Sequence, residues 1–372
     1  MVNESEIKAY RPPRILLFSQ RNIEKVHFRC SLYEFEDIIC QIDSTDLLAP
    51  KPNRWFVRGT RLAQRLAASS KFVINPGIQK IDLKNEYDLF FAILQYPKDL
   101  INFKAVEGWR DQCKTGICWI NEIWLRDIDR LSTYLKMLSK FDYVILNHSH
   151  SVAAVKEISR TQCFFLPPGV DSILFCPYPE QAERAIDVYS IGRRAVETHE
   201  ALLRMAKEEN IFYVYDTIDG QNVYDPHEHR LLYANIAKRS RYFFAYPGKI
   251  DLPEETDKQS EIGYRYFEGA SAGTIMIGEK PKTDEFAKYF DWSDAVIELP
   301  FGSKTISEVI RNLDMQPDRQ KTIRKNNVFK SLMKHDWMYR WQAVLELAGL
   351  DPMPQLEERR MRLCELASMV KT

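Results

Sequence analysis

Short apolar runs, separated by stretches with helical periodicity, recur through this sequence in two successive series. Arg14-Ile-Leu-Leu-Phe-Ser19, Asp88 to Leu94, Gly116 to Ile120 and Tyr143 to Leu146 are too brief for buried helices and read as strands covered on both faces. Between them, Ser31 to Leu48 places Leu32, Phe35, Ile38, Ile39 and Ile42 at helical spacing. Further helices are expected from about Ile128 to Lys140 and, capped by serine, from Ser151 to Ser159. The alternation predicts a parallel sheet with helices on both faces.

The second series has strands at Asp187 to Ile191, Ile211 to Tyr215, Arg241 to Tyr246, Gly273 to Ile277 and Ala295 to Leu299, with helices from about His199 to Glu209 and His229 to Ser240. Between the series lies Leu166 to Pro179, which carries four prolines and suits a linker. After Phe301 the chain reads as helical, ending in a charged helix from Gln355 to Val370 that offers Leu356, Met361, Leu363, Leu366 and Met369 to one face. The fold class expected is α/β, with two Rossmann-like domains facing across a cleft. The boundaries are 1–170 for the first domain, 171–335 for the second, and 336–372 for terminal helices that cross back onto the first.

A length of 372 residues suits two cores. Lys plus Arg (52) balances Asp plus Glu (52), so no global field draws the chain to nucleic acid, and membrane contact is peripheral at most. The opening residues lack the apolar core of a secretory signal, and no eighteen apolar residues run together. Seven cysteines without zinc spacing read as reduced thiols, and a cytoplasmic location is expected.

Leu166-Pro-Pro-Gly-Val-Asp-Ser-Ile-Leu-Phe-Cys-Pro177 resembles the interdomain signature of glycosyltransferases with the GT-B fold. Asp187-Val-Tyr-Ser-Ile-Gly-Arg-Arg194 looks like the first strand of their second domain. Tyr264-Arg-Tyr-Phe-Glu-Gly-Ala-Ser-Ala-Gly273, with the Thr-Ile-Met-Ile-Gly278 that follows, is similar to their donor-binding helix and strand. The nearest relatives look like the group 1, CgeB-like branch. The resemblance implies transfer of a sugar from a nucleotide-diphosphate sugar to a hydroxyl of a glycan, lipid-linked or small-molecule acceptor, without cofactor or metal. Two departures leave retention or inversion open. Ser260 stands where the retaining families carry their first glutamate, with Glu261 one position late, and His199 stands where a lysine follows Arg194.

On this resemblance Glu268 grips the ribose diol, a charge-assisted contact. Arg265 is expected to pair with Glu261 in the empty site and to turn towards phosphate in the filled one, one helix stripe holding Glu261, Arg265 and Glu268. Gly269 lets the backbone approach the ligand, and the 260–263 region starts a helix whose N–H groups favour diphosphate. Arg193 and Arg194 follow a strand at the carboxyl edge, where open parallel sheets bind ligands. Arg194, assisted by His199, is expected to stabilise the departing diphosphate, and Tyr246 to shape the nucleotide pocket. Acceptor-side candidates follow the strands of the first domain: Ser19, Gln20, His27, Tyr96, Asn121, Glu122, Trp124, His148 and His150, with Glu122 and His27 the candidates for a base. Asp127-Ile-Asp129 matches a metal-binding string but reads as a helix start. Rival readings are a nucleotide-sugar epimerase of the same fold and a non-catalytic binding homologue. A dinucleotide oxidoreductase lacks its glycine-rich turn after the first strand.

Overall fold

A computed structural model describes residues 12–69, 72–218 and 220–371; the polar opening up to Arg11 lies outside these. The first sheet contains β1 (Ile15–Phe18), β2 (Thr45–Leu48), β3 (Tyr87–Leu94), β4 (Cys113–Ile120), β5 (Tyr143–Leu146) and β6 (Gln162–Phe165), parallel and ordered β2-β1-β3-β4-β5-β6. The second contains β7 (Ile186–Ser190), β8 (Tyr213–Tyr215), β9 (Ser240–Ala245), β10 (Ile275–Gly278) and β11 (Ile297–Glu298), parallel and ordered β11-β10-β9-β7-β8. The fold is α/β, as the alternation predicted.

The helices used below are α1 (Cys30–Ile42), α2 (Phe56–Ser69), α3 (Val152–Ser159), α4 (Val196–Glu208), α5 (Pro226–Lys238), α6 (Tyr264–Ser271), α7 (Ile306–Asp314), α8 (Pro317–Lys334), α9 (Trp337–Ala348) and α10 (Pro354–Lys371). Side chains alternate across each strand, so Leu16 and Phe18 enter one core while Ile15 and Leu17 enter the other. That second core also holds Trp337, Trp341, Leu356, Leu363 and Val370. The terminal helices α9 and α10 therefore cover the first sheet, though they follow the second in sequence. On α10 the buried face is Leu356, Leu363, Leu366, Ala367 and Val370, while Met361 is exposed.

Two expected helices are shorter than predicted. The segment Ser31–Leu48 divides: α1 stops at Ile42, Asp43 turns extended, and Thr45–Leu48 pairs with β1 as an edge strand. Asp43 accepts from Arg14 Nε at 2.8 Å and Trp341 Nε1 at 3.0 Å, partners from distant sequence that fix the break. Between Ile128 and Lys140 only Ser132–Leu135 is α-helical, followed by a tighter 3-10 segment. Ser151 does not cap α3; its hydroxyl donates to the Ile123 carbonyl.

The proline-rich crossing is held by its carbonyl groups. Arg340 donates to the oxygens of Pro167 and Pro168, and Arg359 pairs with both Asp171 and Asp336. Gly169 admits the Trp337 indole, which a Cβ would meet at 2.7 Å. The Pro-Pro-Gly-Val-Asp signature is thus a joint that docks the start of α9.

Candidate active site

The carboxyl ends of the two sheets face one another across a cleft of about 510 Å3. From the first domain come Gln95 and Tyr96 after β3, Asn121, Glu122 and Trp124 after β4, Asn147 and His148 after β5, and His27, Phe28 and Ser31 at the entry to α1. From the second come Gly192 and Arg193 after β7, His229, Arg230 and Tyr233 of α5, Tyr246 to Ile250 after β9, and Gly263 to Arg265 with Glu268 at the start of α6. This is where parallel sheets place ligand-binding loops.

Its floor is a buried ion network joining the domains. Arg230 donates from Nε to Glu34 of α1 at 2.7 Å and from Nη1 to Glu268 at 2.5 Å. Tyr233 donates to the other Glu268 oxygen at 2.7 Å, and Trp337 Nε1 to Glu34 at 2.9 Å. Burial opposes the Arg230 charge, but Glu34 and Glu268 outweigh it and hold its pKa above the ordinary value. Arg230, Tyr233 and Glu34 were not singled out in the sequence. They sit in ordinary amphipathic helices, and only the meeting of α1, α5 and α6 brings them together.

The charged stripe predicted on one helix does not form. Gly263 is extended and α6 begins at Tyr264, so the four-residue spacing from Glu261 to Arg265 is not a helical turn. Glu261 instead accepts from the Ser149 N–H at 2.9 Å, the His150 N–H at 3.2 Å and Gln259 Nε2 at 2.7 Å, and faces His150 Nδ1 at 2.8 Å. It ties the second domain to the loop after β5. Arg265 does not pair with it. The nearest hydrogen-bonding partner of Arg265 is the Tyr233 hydroxyl, 3.4 Å from Nη1, and among the described residues no carboxylate forms an ion pair with it. The Gly269 expectation also fails: a Cβ there would lie 2.9 Å from Met276 Cγ and Phe243 Cδ1, so the glycine admits the sheet and not a ligand.

Arg193 Nη1 donates to both carboxylate oxygens of Asp251, at 2.7 and 2.8 Å. Arg194 lies behind it, over the Tyr215 ring at 5.1 Å, and lines a small cavity with His199, Tyr213 and Tyr246. There Arg194 Nη1 and the Tyr246 hydroxyl are buried without a hydrogen-bond partner among the described residues. His199 shares a hydrogen bond of 2.9 Å with Tyr213; burial and then the Arg194 charge lower its pKa, which favours the neutral ring. At the first wall, Glu122 accepts from Trp124 Nε1 at 2.7 Å and Gln95 Nε2 at 3.3 Å, with Lys249 of the second domain 3.5 Å away. His27 is exposed, and its N–H donates to Gln221 at 2.8 Å where Val26 and Asn222 form a bridge between the domains. Ser19 donates to buried Glu36, and Gln20 accepts from Arg29, so both serve the first domain's interior.

His148 is held differently. Its Nδ1 lies 2.9 Å from the Ile123 carbonyl, which only an N–H can face, so in the neutral ring Nε2 carries the free lone pair. The ring packs edge-on against Trp124 at 4.5 Å. Opposite, Gly263 precedes α6 and offers no side-chain cap, which leaves the helix's first N–H groups to the cleft. Asp127 pairs with Arg130, and among the described residues no three His, Cys, Asp or Glu side chains are grouped to hold a metal.

Residues 182–346 match the model of a family described as glycosyl transferase-like. Among solved structures, Anabaena Alr3699/HepE, determined in complex with UDP-glucose, is 12% identical with a TM-score of 0.52, over 90% of this chain and 99% of that one. An α,α-trehalose-phosphate synthase (UDP-forming) from Burkholderia vietnamiensis is 11% identical with a TM-score of 0.56, over 91% and 98%. No curated protein matches the chain by sequence. Residues 182–346 are thus similar to a glycosyl transferase-like family, and the chain has the GT-B fold that the linker and the α6 region indicated.

Proposed function

We propose that the protein transfers a sugar from a nucleotide-diphosphate donor, bound by the second domain, to a hydroxyl acceptor bound by the first. The observation that carries this reading is the chemical asymmetry of the cleft. One wall presents Arg265, without a carboxylate ion-pair partner among the described residues, beside the uncapped start of α6, and the other presents carboxamides, aromatic rings, His148 and Glu122, which already accepts from Trp124 and Gln95. Diphosphate suits the first set, because helix N–H groups and a guanidinium both favour anions. Sugar hydroxyls suit the second.

In the transfer, the bond from the anomeric carbon to the diphosphate oxygen breaks and its electron pair leaves on the diphosphate. The acceptor oxygen bonds to the anomeric carbon, and its proton passes to His148 Nε2. Charge grows on the leaving group, so Arg265 and the α6 N–H groups bind the transition state more tightly than the ground state. These groups balance the diphosphate charge, and the reaction is proposed to need no metal. Glu268 acts as a positioning residue: it holds Arg230 and Tyr233, and Tyr233 backs Arg265. Arg194 and His199 support the wall behind Arg193. Seven free cysteines suit a reducing compartment, consistent with the cytoplasm.

Calorimetric titration with a panel of nucleoside diphosphates, followed by product analysis with UDP-glucose and other nucleotide sugars, tests the reading. Binding of none of them overturns it, and a rearranged donor sugar formed without acceptor indicates an epimerase. His148→Gln is expected to lower turnover by about 100-fold or more while donor affinity is kept. Ordinary turnover in that variant removes His148 as the base.

A further inference from the structure

The chain as a whole is neutral, yet from Leu47 to Ile81 it holds seven Lys or Arg and no Asp or Glu. This stretch is an excursion from the first sheet, closed at its base by the Pro52–Ile78 bridge and by the Asn53 N–H donating to the Gly77 carbonyl at 2.9 Å. Its body is α2. Gly59, Ala63 and Ala67 recur every four residues and form the attached face: a Cβ on Gly59 would sit 2.2 Å from the Pro76 oxygen, and Ala63 and Ala67 are fully buried.

The opposite face has no matching partner among the described residues. Arg58, Arg61 and Arg65 lie on one exposed stripe, and neither they nor Arg54 pair with a carboxylate among the described residues. Around them, large apolar side chains stand in solvent: Trp55 is 52% exposed, Val57 66%, Leu62 52% and Phe72 64%. Arg54 lies over the Trp55 ring at 5.0 Å. Basic side chains set among an exposed indole and aliphatic groups, on a helix whose inner face is fixed by tiny residues, fit a bilayer interface. There the rings and aliphatic groups enter the headgroup boundary and the guanidinium groups meet lipid phosphate.

We propose that α2 and its flanks dock the first domain on an anionic lipid surface. Charge complementarity chooses this partner, and the exposed Trp55, Val57, Leu62 and Phe72 distinguish a bilayer from a nucleic acid, which would use the arginines but gain little from aliphatic groups. The first domain is also the proposed acceptor side, so docking there would bring the cleft to a membrane-borne acceptor.

The full chain, mixed with vesicles of phosphatidylcholine alone or of phosphatidylcholine with phosphatidylglycerol, is separated by sedimentation. Binding is expected only with phosphatidylglycerol and is expected to weaken as salt rises. Each basic residue beside an anionic surface contributes about fivefold, so neutralising three, in the Arg58→Gln/Arg61→Gln/Arg65→Gln variant, is expected to lower partitioning about 100-fold. Trp55→Ala/Leu62→Ala is expected to lower it on the order of tenfold. Both variants alter only exposed side chains, and their melting temperatures and nucleoside diphosphate affinity are expected to match the unaltered chain. Absence of binding to phosphatidylglycerol vesicles overturns the proposal, as does unchanged binding in either variant. It is also overturned if a single-stranded RNA binds the same arginines more tightly and is indifferent to Trp55→Ala/Leu62→Ala.

Discussion

The two walls of the cleft are built from the same architecture and carry opposite chemistry. Each is the carboxyl edge of a parallel sheet, but the first offers Gln95, Asn121, Asn147 and His148 while the second offers Arg193, Lys249, Arg265 and the start of α6. Sheet topology therefore fixes where the two walls stand, and the loop residues fix which groups each presents. The floor belongs to neither wall, since Arg230 ties Glu34 of one domain to Glu268 of the other.

The largest expected effect tests that shared floor. Glu268→Ala leaves Arg230 with half its buried counter-charge and is expected to cost about 3 to 5 kcal/mol in urea unfolding. If stability is unchanged and only nucleotide affinity falls, the carboxylate faces the ribose as the sequence resemblance implied, and the floor is not a shared joint. Next comes the contrast between walls. Arg265→Ala is expected to weaken nucleoside diphosphate binding by about 1.5 to 3 kcal/mol, the contribution of a charged hydrogen bond, with the melting temperature held. Gln95→Ala should leave donor affinity alone and raise the KM for acceptor; equal losses of donor affinity in both variants would erase the division of labour.

A smaller effect concerns the joint behind both walls. His335 is fully buried among Phe267, Phe290 and Trp292, and neither ring nitrogen has a hydrogen-bond partner among the described residues. Burial first, then Arg340 and Lys334, push its pKa well below the ordinary value. The unfolded chain binds this proton near pH 6.5 and the folded chain does not, so stability is present above that pH and is lost as pH falls below it. His335→Leu is expected to raise stability by about 1 kcal/mol at neutral pH and to flatten the acid-side decline in melting temperature. A decline as steep as the parent's would assign it to other groups. The smallest effect is at the rim: Arg193→Ala removes an exposed pair with Asp251 and is expected to change stability by less than about 1 kcal/mol.

Much of this was legible along the chain. Runs such as Asp88 to Leu94 are apolar at every position because both faces are covered, and that pattern needs no tertiary information to be read. The edge strands Thr45–Leu48 and Gln162–Phe165 were missed because an edge is only partly buried and its residues are mixed. Arg265 and Tyr246 could be placed from a strand end and a motif. Arg230 and Glu34 could not, since 196 positions separate them and nothing local marks either.

The sequence by itself determined the alternation of strands and helices in two series, with the prolines of Leu166 to Pro179 between them. These are local consequences of side-chain period and of proline's missing N–H. Only the tertiary structure decided which carboxylates are free. A charge spends its interactions on whatever donor folding brings within about 3 Å, and for Glu261 and Glu268 those donors came from the 149–150 turn and from α5.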